Sequence, residues 1–316
     1  MRREGSALNG MGVVTLKEVA DHFTSILVVV LVVLVAVVAV VSVRGAIDQI
    51  KEVTAEDPYL FLRLFTRGGI LPLVSLMSFL IPLMAIGLGF DAVNGEHNRR
   101  TLSRILAQPI YRDALLFGKF LAGLFTLSAT LIVLWLLVLG LGLIGLGIPP
   151  TTEDMARSLV LLFVTIAYAG FWFALALLIS VIFRSAATAA LVALGLWLFL
   201  TILWPLFSPG LADTFTTAND VLGVLDTRQA FARLSPTVLY NEVVAVLLDP
   251  SVRSTQQSML ASLGLALIER GAIPDAPISL VQSLLIVWPQ IVGLVAGTIL
   301  LFVLGYVVFQ RQEVRA

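Results

Sequence analysis

The chain has 316 residues, 59% of them hydrophobic and 13% charged, with a formal net charge of zero and no cysteine. Soluble proteins average roughly 25% charged residues, so this chain is not built for water throughout. Zero net charge argues against a nucleic-acid binder, which needs a basic surface. The missing cysteines exclude disulfides, thiolate metal sites and cysteine nucleophiles.

The pattern predicts an all-α integral membrane protein with six transmembrane helices. Residues 1–22 precede the first span, and "GVVTLKEVADHF" at 12–23 sets Val13, Leu16, Ala20 and Phe23 at helical spacing. Lys17, Glu18, Asp21 and His22 fall elsewhere on that helix, a pattern that suits a cytoplasmic helix lying in the membrane interface. A simple polar lead-in to the first span is the other reading. Six apolar runs follow, at about 23–43, 71–90, 115–148, 157–183, 189–207 and 282–309. A bilayer core of ~30 Å needs about 20 such residues as helix. The first run is read as a retained span, because its apolar stretch exceeds the ~7–15 residues of a signal core.

The lipid-embedded lengths of the six spans are expected to hold no Asp, Glu, Lys, Arg or His. Intramembrane ionisable groups mark proton relays, ion-coupled carriers and voltage sensors, so this expectation weighs against an ion-driven carrier. Ser75, Ser78, Thr126, Thr130, Thr165, Tyr168, Thr201 and Gln290 remain as polar span residues. Their hydroxyls are expected mainly to bond their own helix backbone. Met77 and Met84 share a face of span two and are read as core packing rather than as soft metal ligands. Gly293-x-x-x-Gly297 offers a helix-pairing face.

Positive charge sets orientation. With the N-terminus inside, eleven Lys and Arg fall on inner segments and nine on outer ones. Four of the nine (Arg228, Arg233, Arg253 and Arg270) lie in the long 208–281 segment, and long segments translocate largely regardless of charge. Both termini are therefore expected in the cytoplasm, with 96–113 and 184–188 also inside.

Among the connections, "GIPPTTEDMAR" at 147–157 reads as a hairpin. Pro149-Pro150 stops span three, Thr151 or Thr152 caps span four, and Glu153 and Asp154 sit in its first turn. Between spans five and six, 208–281 is expected to form a helical outer segment, a small cap. "LSPTVLYNEVVAVLLDP" there has a Ser-Pro start and an Asp-Pro stop. "QQSMLASLGLALIERG" reads as a second helix ending at glycine. Residues 282–316 then hold span six, bent near Pro289, and a cytoplasmic tail.

Enzyme signatures are missing. The sequence contains no H-E-x-x-H zinc motif and no G-x-S-x-G elbow. "FGKF" at 117–120 lacks the earlier glycine and the hydroxyl of a phosphate loop. Glu96-His97 is read as a solvated or partner-facing pair rather than a metal site. A conduit without a nucleotide site needs an engine on another chain, and a cytoplasmic handle to receive its motion.

The stretch "GEHNRRTLSRILAQPIYRDALLFGKF", 95–120, supplies the candidate handle. Leu102, Ile105 and Leu106 form one apolar stripe on a short helix over about 98–107, with Arg99, Arg100 and Arg104 on other faces. Pro109 ends that helix and the chain restarts into span three. The wider segment "FDAVNGEHNRRTLSRILAQPIYRDALLFGKFLAG", 90–123, resembles the permease subunits of ATP-binding-cassette transporters of the second type, the exporter-like ABC type-2 family. Asp91, Gly95, Glu96, Thr101, Leu102, Pro109, Arg112, Gly118 and Lys119 match that pattern in order and spacing. "SVIFRSAATAAL" at 180–191 resembles the family's second inner turn, and 12–23 its membrane-surface helix. The likeness follows the six-span plan from end to end, with motif-level agreement over about 50 residues.

That resemblance implies a permease subunit in the cytoplasmic (inner) membrane, most simply of an exporter. Gly95, Glu96, Arg99, Arg100, Thr101, Leu102, Arg104, Ile105, Leu106, Pro109 and Arg112 would form the element contacting the ATPase. Arg184 would mark a second, smaller contact at 184–188. The family implies two cytoplasmic ATPase subunits that carry ATP and Mg, and a second permease subunit, identical or related. It implies no cofactor in this chain, and a path lined by spans two and five. The long 208–281 segment and His97-Asn98 depart from the family pattern. An ion-gradient-driven secondary transporter or channel is the alternative function.

Overall fold

Every regular element among the described residues of the computed structural model is helical; these residues are 7–51, 59–68, 71–98, 112–216, 221–252, 255 and 277–311. Helix α1 is Ala7–Thr24 and α2 is Ile26–Lys51. A single turn, α3 (Arg63–Thr66), precedes α4 (Leu73–Gly89) and the short α5 (Asn94–Asn98). Then come α6 (Arg112–Leu146), α7 (Thr152–Ile182) and α8 (Ala186–Leu198). Helix α8 runs through a π-turn at Phe199–Leu203 into α9 (Trp204–Asp213). Helices α10 (Val221–Ala232), α11 (Pro236–Leu248) and α12 (Leu280–Arg311) complete the set.

Six of these elements are long and apolar enough to cross a membrane, as the hydropathy pattern predicts: α2, α4 continued to Glu96, α6, α7, α8–α9 as one rod, and α12. Their ends differ from the apolar runs by up to eight residues. Span one continues to Lys51 and span five to Asp213, because a helix ends where its capping ends rather than where hydropathy falls.

The capping chemistry read from sequence is present. Thr151 Oγ1 accepts from the Asp154 amide, while Asp154 Oδ2 accepts from the Thr151 amide, a complete capping box. Ser235 caps α11 with Pro236 in its first turn, and the helix stops at Asp249 as expected. Pro289 sits within α12, which continues through it as one helix.

Span four, α7, is the hub of the bundle. Of its most apolar window 72% is buried within the chain, against 17% for spans five and six. Trp172, Tyr168 and Phe173 are fully enclosed. Small residues let neighbouring helices reach this hub: a Cβ on Gly123 of α6 would lie 2.0 Å from Phe173 Cζ, so only glycine permits that crossing. Met77 and Met84 belong to the same apolar core, as their packing reading anticipates. Gly297 of α12 faces Phe171 of α7, so the Gly293-x-x-x-Gly297 face packs within this chain.

Helices α10 and α11 are bent by 112° relative to each other and together could make a broken span or a re-entrant hairpin. Helix α11 is not set apart from the bundle: Tyr240, Val243, Val246 and Leu247 are buried in the main core with α7 and α12. The second helix expected at 256–271 lies outside the described residues.

Polar span residues behave in two ways. Ser78, Thr126, Thr130 and Thr165 bond carbonyls of their own helices, as expected. Tyr168, Thr201 and Gln290 instead bond across helices. Tyr168 donates to the Ser78 carbonyl at 2.8 Å and meets Thr237 Oγ1 at 3.0 Å. Its proton being spent, Thr237 must donate to Tyr168, and Thr201, 3.0 Å away, to Thr237. One directed chain thus ties spans two, four and five to α11. Gln290 donates to Glu242 Oε2 at 2.7 Å, a carboxylate also held by Arg233.

The expectation of spans free of ionisable groups is corrected. Lys119 lies inside the 115–148 run, and Arg157 opens the 157–183 run; both are buried. They are tolerated because each sits near one end of its span and is surrounded by acceptors, which offset the cost of removing charge from water.

Candidate coupling site

The predicted handle is only partly within the described residues. Arg99, Arg100, Thr101, Leu102, Arg104, Ile105, Leu106 and Pro109 fall outside them, with the 98–107 helix that they would form. Arg112 opens α6. Gly95 and Glu96 lie on α5, at the root of the 99–111 segment. Arg184 stands exposed in the break between α7 and α8, which Ser185 closes by accepting the Thr188 amide at 3.4 Å.

Asn94 ties the two predicted contact regions together. The amides of Val93 and Asn94 donate to Ser180 Oγ at 3.0 and 3.3 Å, and Asn94 Nδ2 donates to the Phe183 carbonyl at 3.2 Å. Asn94 is almost fully buried, so these bonds are shielded from water. The root of the handle and the turn bearing Arg184 therefore form one rigid corner.

A second set of bonds joins that corner to α1. Lys119 Nζ lies 2.8 Å from Glu96 Oε1 and 2.9 Å from Glu18 Oε1, with only 3% of its side chain exposed. Lys17 adds 2.8 Å to Glu18, 2.9 Å to Asp21 and 3.8 Å to Glu96. Burial would push the Glu18 carboxyl up, but the Lys119 charge and hydrogen bonds from both lysines outweigh it and hold it below the ordinary range. For Lys17, burial acts downward, and bonds to Glu18 and Asp21 overcome it and raise the ammonium. His22 Nδ1 sits 3.1 Å from Thr126 Oγ1, and burial first of all drives its pKa down. These groups line a polar cavity of about 380 Å³ between α1, α4, α5 and α6.

Helix α1 is seated without slack. A Cβ on Gly118 would meet Val14 Cγ1 at 2.7 Å, and Thr15 Oγ1 donates to the Gly118 carbonyl at 3.3 Å. At the far side of the same end, Gln310 of α12 donates to the Asp113 carboxylate at the start of α6. Five helices thus converge here, all joined by polar contacts. Sequence reasoning matched Lys119 to the family pattern without placing it among the contact residues, and missed Glu18, Asn94 and Ser180 as members of the site. A signal was available for Lys119, the one charge between Asp113 and Glu153, since an ionisable residue in an apolar run is a functional candidate by default.

No group of three or more His, Cys, Asp or Glu able to hold a metal ion occurs among the described residues. The described charged groups here are bonded chiefly to one another, within α1 and across helices.

The comparisons agree with this architecture. A family model described as "ABC-2 family transporter protein" matches residues 13–314. The chain is 37% identical over 145 residues to a "Probable ABC transporter permease protein NosY" of Pseudomonas aeruginosa, covering 42% of this chain and 49% of that one. It is 44% identical over 61 residues to the protein of that name from Stutzerimonas stutzeri, covering 19% of this chain and 22% of the other. The alignments span about half the length of these curated relatives, or less. A match running from α1 to beyond α12 is what a shared six-span plan requires, and the chain belongs to the ABC-2 family of transporter proteins.

Proposed function

We propose that this chain is the membrane-spanning permease subunit of an ATP-driven ABC transporter, an exporter, working with a separate cytoplasmic ATPase. The observation that carries this reading is the corner at the inner end. Glu96, at the root of the 99–111 segment, is bonded to α6 and, through Lys119, to α1. Asn94 beside it is bonded to the end of α7 next to Arg184. A push on this root is delivered to several spans at once, which is what a handle must do. Family membership supports a non-catalytic subunit, and the missing phosphate loop supports ATP and Mg being held by the partner chain.

In this reading both termini, 96–113 and 184–188 face the cytoplasm. Two permease subunits, identical or related, stand over two ATPase subunits in the cytoplasmic membrane. ATP binding draws the handles together. The ATPase shifts the access equilibrium because its nucleotide states differ in affinity for the two handle positions.

The test is a triple variant, Glu96→Ala with Arg99→Glu and Arg100→Glu, reconstituted with the cognate ATPase. Membrane insertion should be intact while stimulation of ATP hydrolysis is lost; full stimulation by the variant would count against the handle. The ion-gradient alternative predicts uphill movement of solute by the chain alone in liposomes. Lys119, Arg157 and Glu242 do not favour it, because each is held by fixed partners.

A further inference from the structure

We infer that Lys119 is a positioning residue for coupling: its ammonium is the joint that makes α1 move with α5. This inference rests on the permease reading and deepens it, since the sequence reading matched Lys119 to the family pattern without giving it a role and left Glu18 outside the handle. Three observations carry it. Lys119 is one cation shared by carboxylates from two other elements, Glu18 of α1 and Glu96 of α5. At Gly118, next to it in the chain, α1 and α6 are in close contact, because Val14 and the Met11 carbonyl lie over the glycine. And α5 is fixed on its other side by Asn94 to Ser180 and Phe183, so displacement of α5 is passed both to α7 and to the Lys119 bridge.

Stability alone does not account for such a bridge. Replacing a buried ion pair by neutral groups of similar volume is often harmless to folding, and fixing a register or switch is the best-attested use of one. A lysine suits the role: its three donors on a flexible stem can serve two carboxylates approaching from different helices. Helix α1 then acts as a lever, coupled to the handle electrostatically rather than by the chain, which separates Glu18 from Lys119 by 101 residues.

The chain has no cysteine, so two introduced cysteines can carry spin labels without background. Labels at Leu16→Cys on the exposed face of α1 and Ser185→Cys in the α7–α8 break report the movement of α1 against span four. The reconstituted permease–ATPase complex is measured without nucleotide and after vanadate trapping with ATP. The labelled parent should show a nucleotide-dependent distance shift, and Lys119→Met should abolish it. Stimulated ATP hydrolysis should fall about tenfold, within the usual range for coupling between sites. Lys119→Arg should restore most of both. Because Lys119→Met leaves two buried carboxylates facing each other, Lys119→Met with Glu18→Gln is measured beside it. That pair keeps Glu96 and should fold as judged by gel filtration, yet still lack the shift. If either neutral variant folds and keeps the parent's shift, the inference is overturned. If the parent itself shows no shift or does not bind the ATPase, the permease reading fails instead.

Discussion

Replacing Arg157 by methionine should be among the most damaging single changes at its end of the bundle. The guanidinium is fully buried and donates to the Leu247 carbonyl at 3.0 Å, the Ile278 carbonyl at 2.6 Å and Ser283 Oγ at 3.1 Å. It also pairs with Glu153 at 2.9 Å. Leu247 lies in the last turn of α11, where carbonyls have no partner within the helix. Each buried carbonyl stripped of its donor costs about 1–3 kcal/mol. Two of them outweigh the relief of no longer burying a charge and set a loss of about 3–5 kcal/mol, the usual range for breaking a buried ionic cluster. Glu153 contributes little, because its side chain is 39% exposed and water can replace the arginine. The assay is thermal unfolding of the purified protein in detergent at one fixed scan rate, since such unfolding is often irreversible. At about 2 °C per kcal/mol for a chain of this size, Arg157→Met should lower the apparent Tm by roughly 6–10 °C. Arg157→Lys should recover part of this, and Glu153→Gln should shift it by about 2 °C or less. An Arg157→Met protein melting with the parent would refute the claim that this side chain clasps α11 and α12 to span four.

Gly123→Ala puts a methyl group 2.0 Å from Phe173 Cζ and should cost about 1–3 kcal/mol by overpacking. A double-mutant cycle with Phe173→Leu should show the two changes compensating; strict additivity would mean the crossing is loose. Tyr168→Phe strands the Ser78 carbonyl and the Thr237 hydroxyl and should cost about 1–3 kcal/mol. Faster hydrogen exchange in α11 would accompany it, and unchanged exchange would show that the directed hydroxyl chain is not what holds that helix. His22 is driven below its ordinary pKa of 6.5 first by burial and then by Lys119, against Glu18, Asp21 and Asp91. The unfolded state then binds the proton more readily, so the stability contribution is complete above pH 6.5 and lost as pH falls through the folded pKa. Melting measured from pH 7.5 to 5 should show this acid loss, and His22→Gln should flatten it.

Much of the architecture is legible because its causes are local. A 26-residue apolar helix, a Thr-x-x-Asp cap and a Ser-Pro start each declare themselves within a few neighbours. The position of Glu96 at the root of the 99–111 segment is equally legible, since it follows from the contiguous chain. What sequence could not convey is pairing at a distance. Lys119 meets Glu18 across 101 residues, and Arg157 meets Ser283 across 126. Hydropathy averaging also hid both cations, because a window dominated by leucine absorbs one charge near its end. The buried place of α11 was concealed for a related reason. Its apolar content is compatible with an amphipathic cap, and only contacts from α7 and α12 reveal that Tyr240 and Glu242 point into the bundle.

The placement of charge suggests how such a bundle can be firm at its ends and still change state. Near one end Lys119 and near the other Arg157 each bind several partners, so register there is held by charge-assisted bonds. Between them the cross-helix links from Thr201 through Thr237 to Tyr168 are neutral hydroxyl bonds, each worth only about 0.5–1.5 kcal/mol net. A threonine that loses such a partner can turn its hydroxyl to a carbonyl of its own helix, as Thr126 and Thr130 already do. Breaking the middle of the chain therefore costs far less than breaking either end. One of these weaker links lies where span five, through its π-turn, touches α11. A π-turn is a usual site of local adjustment in a helix, and here it falls on the one residue, Thr201, that links span five to that chain.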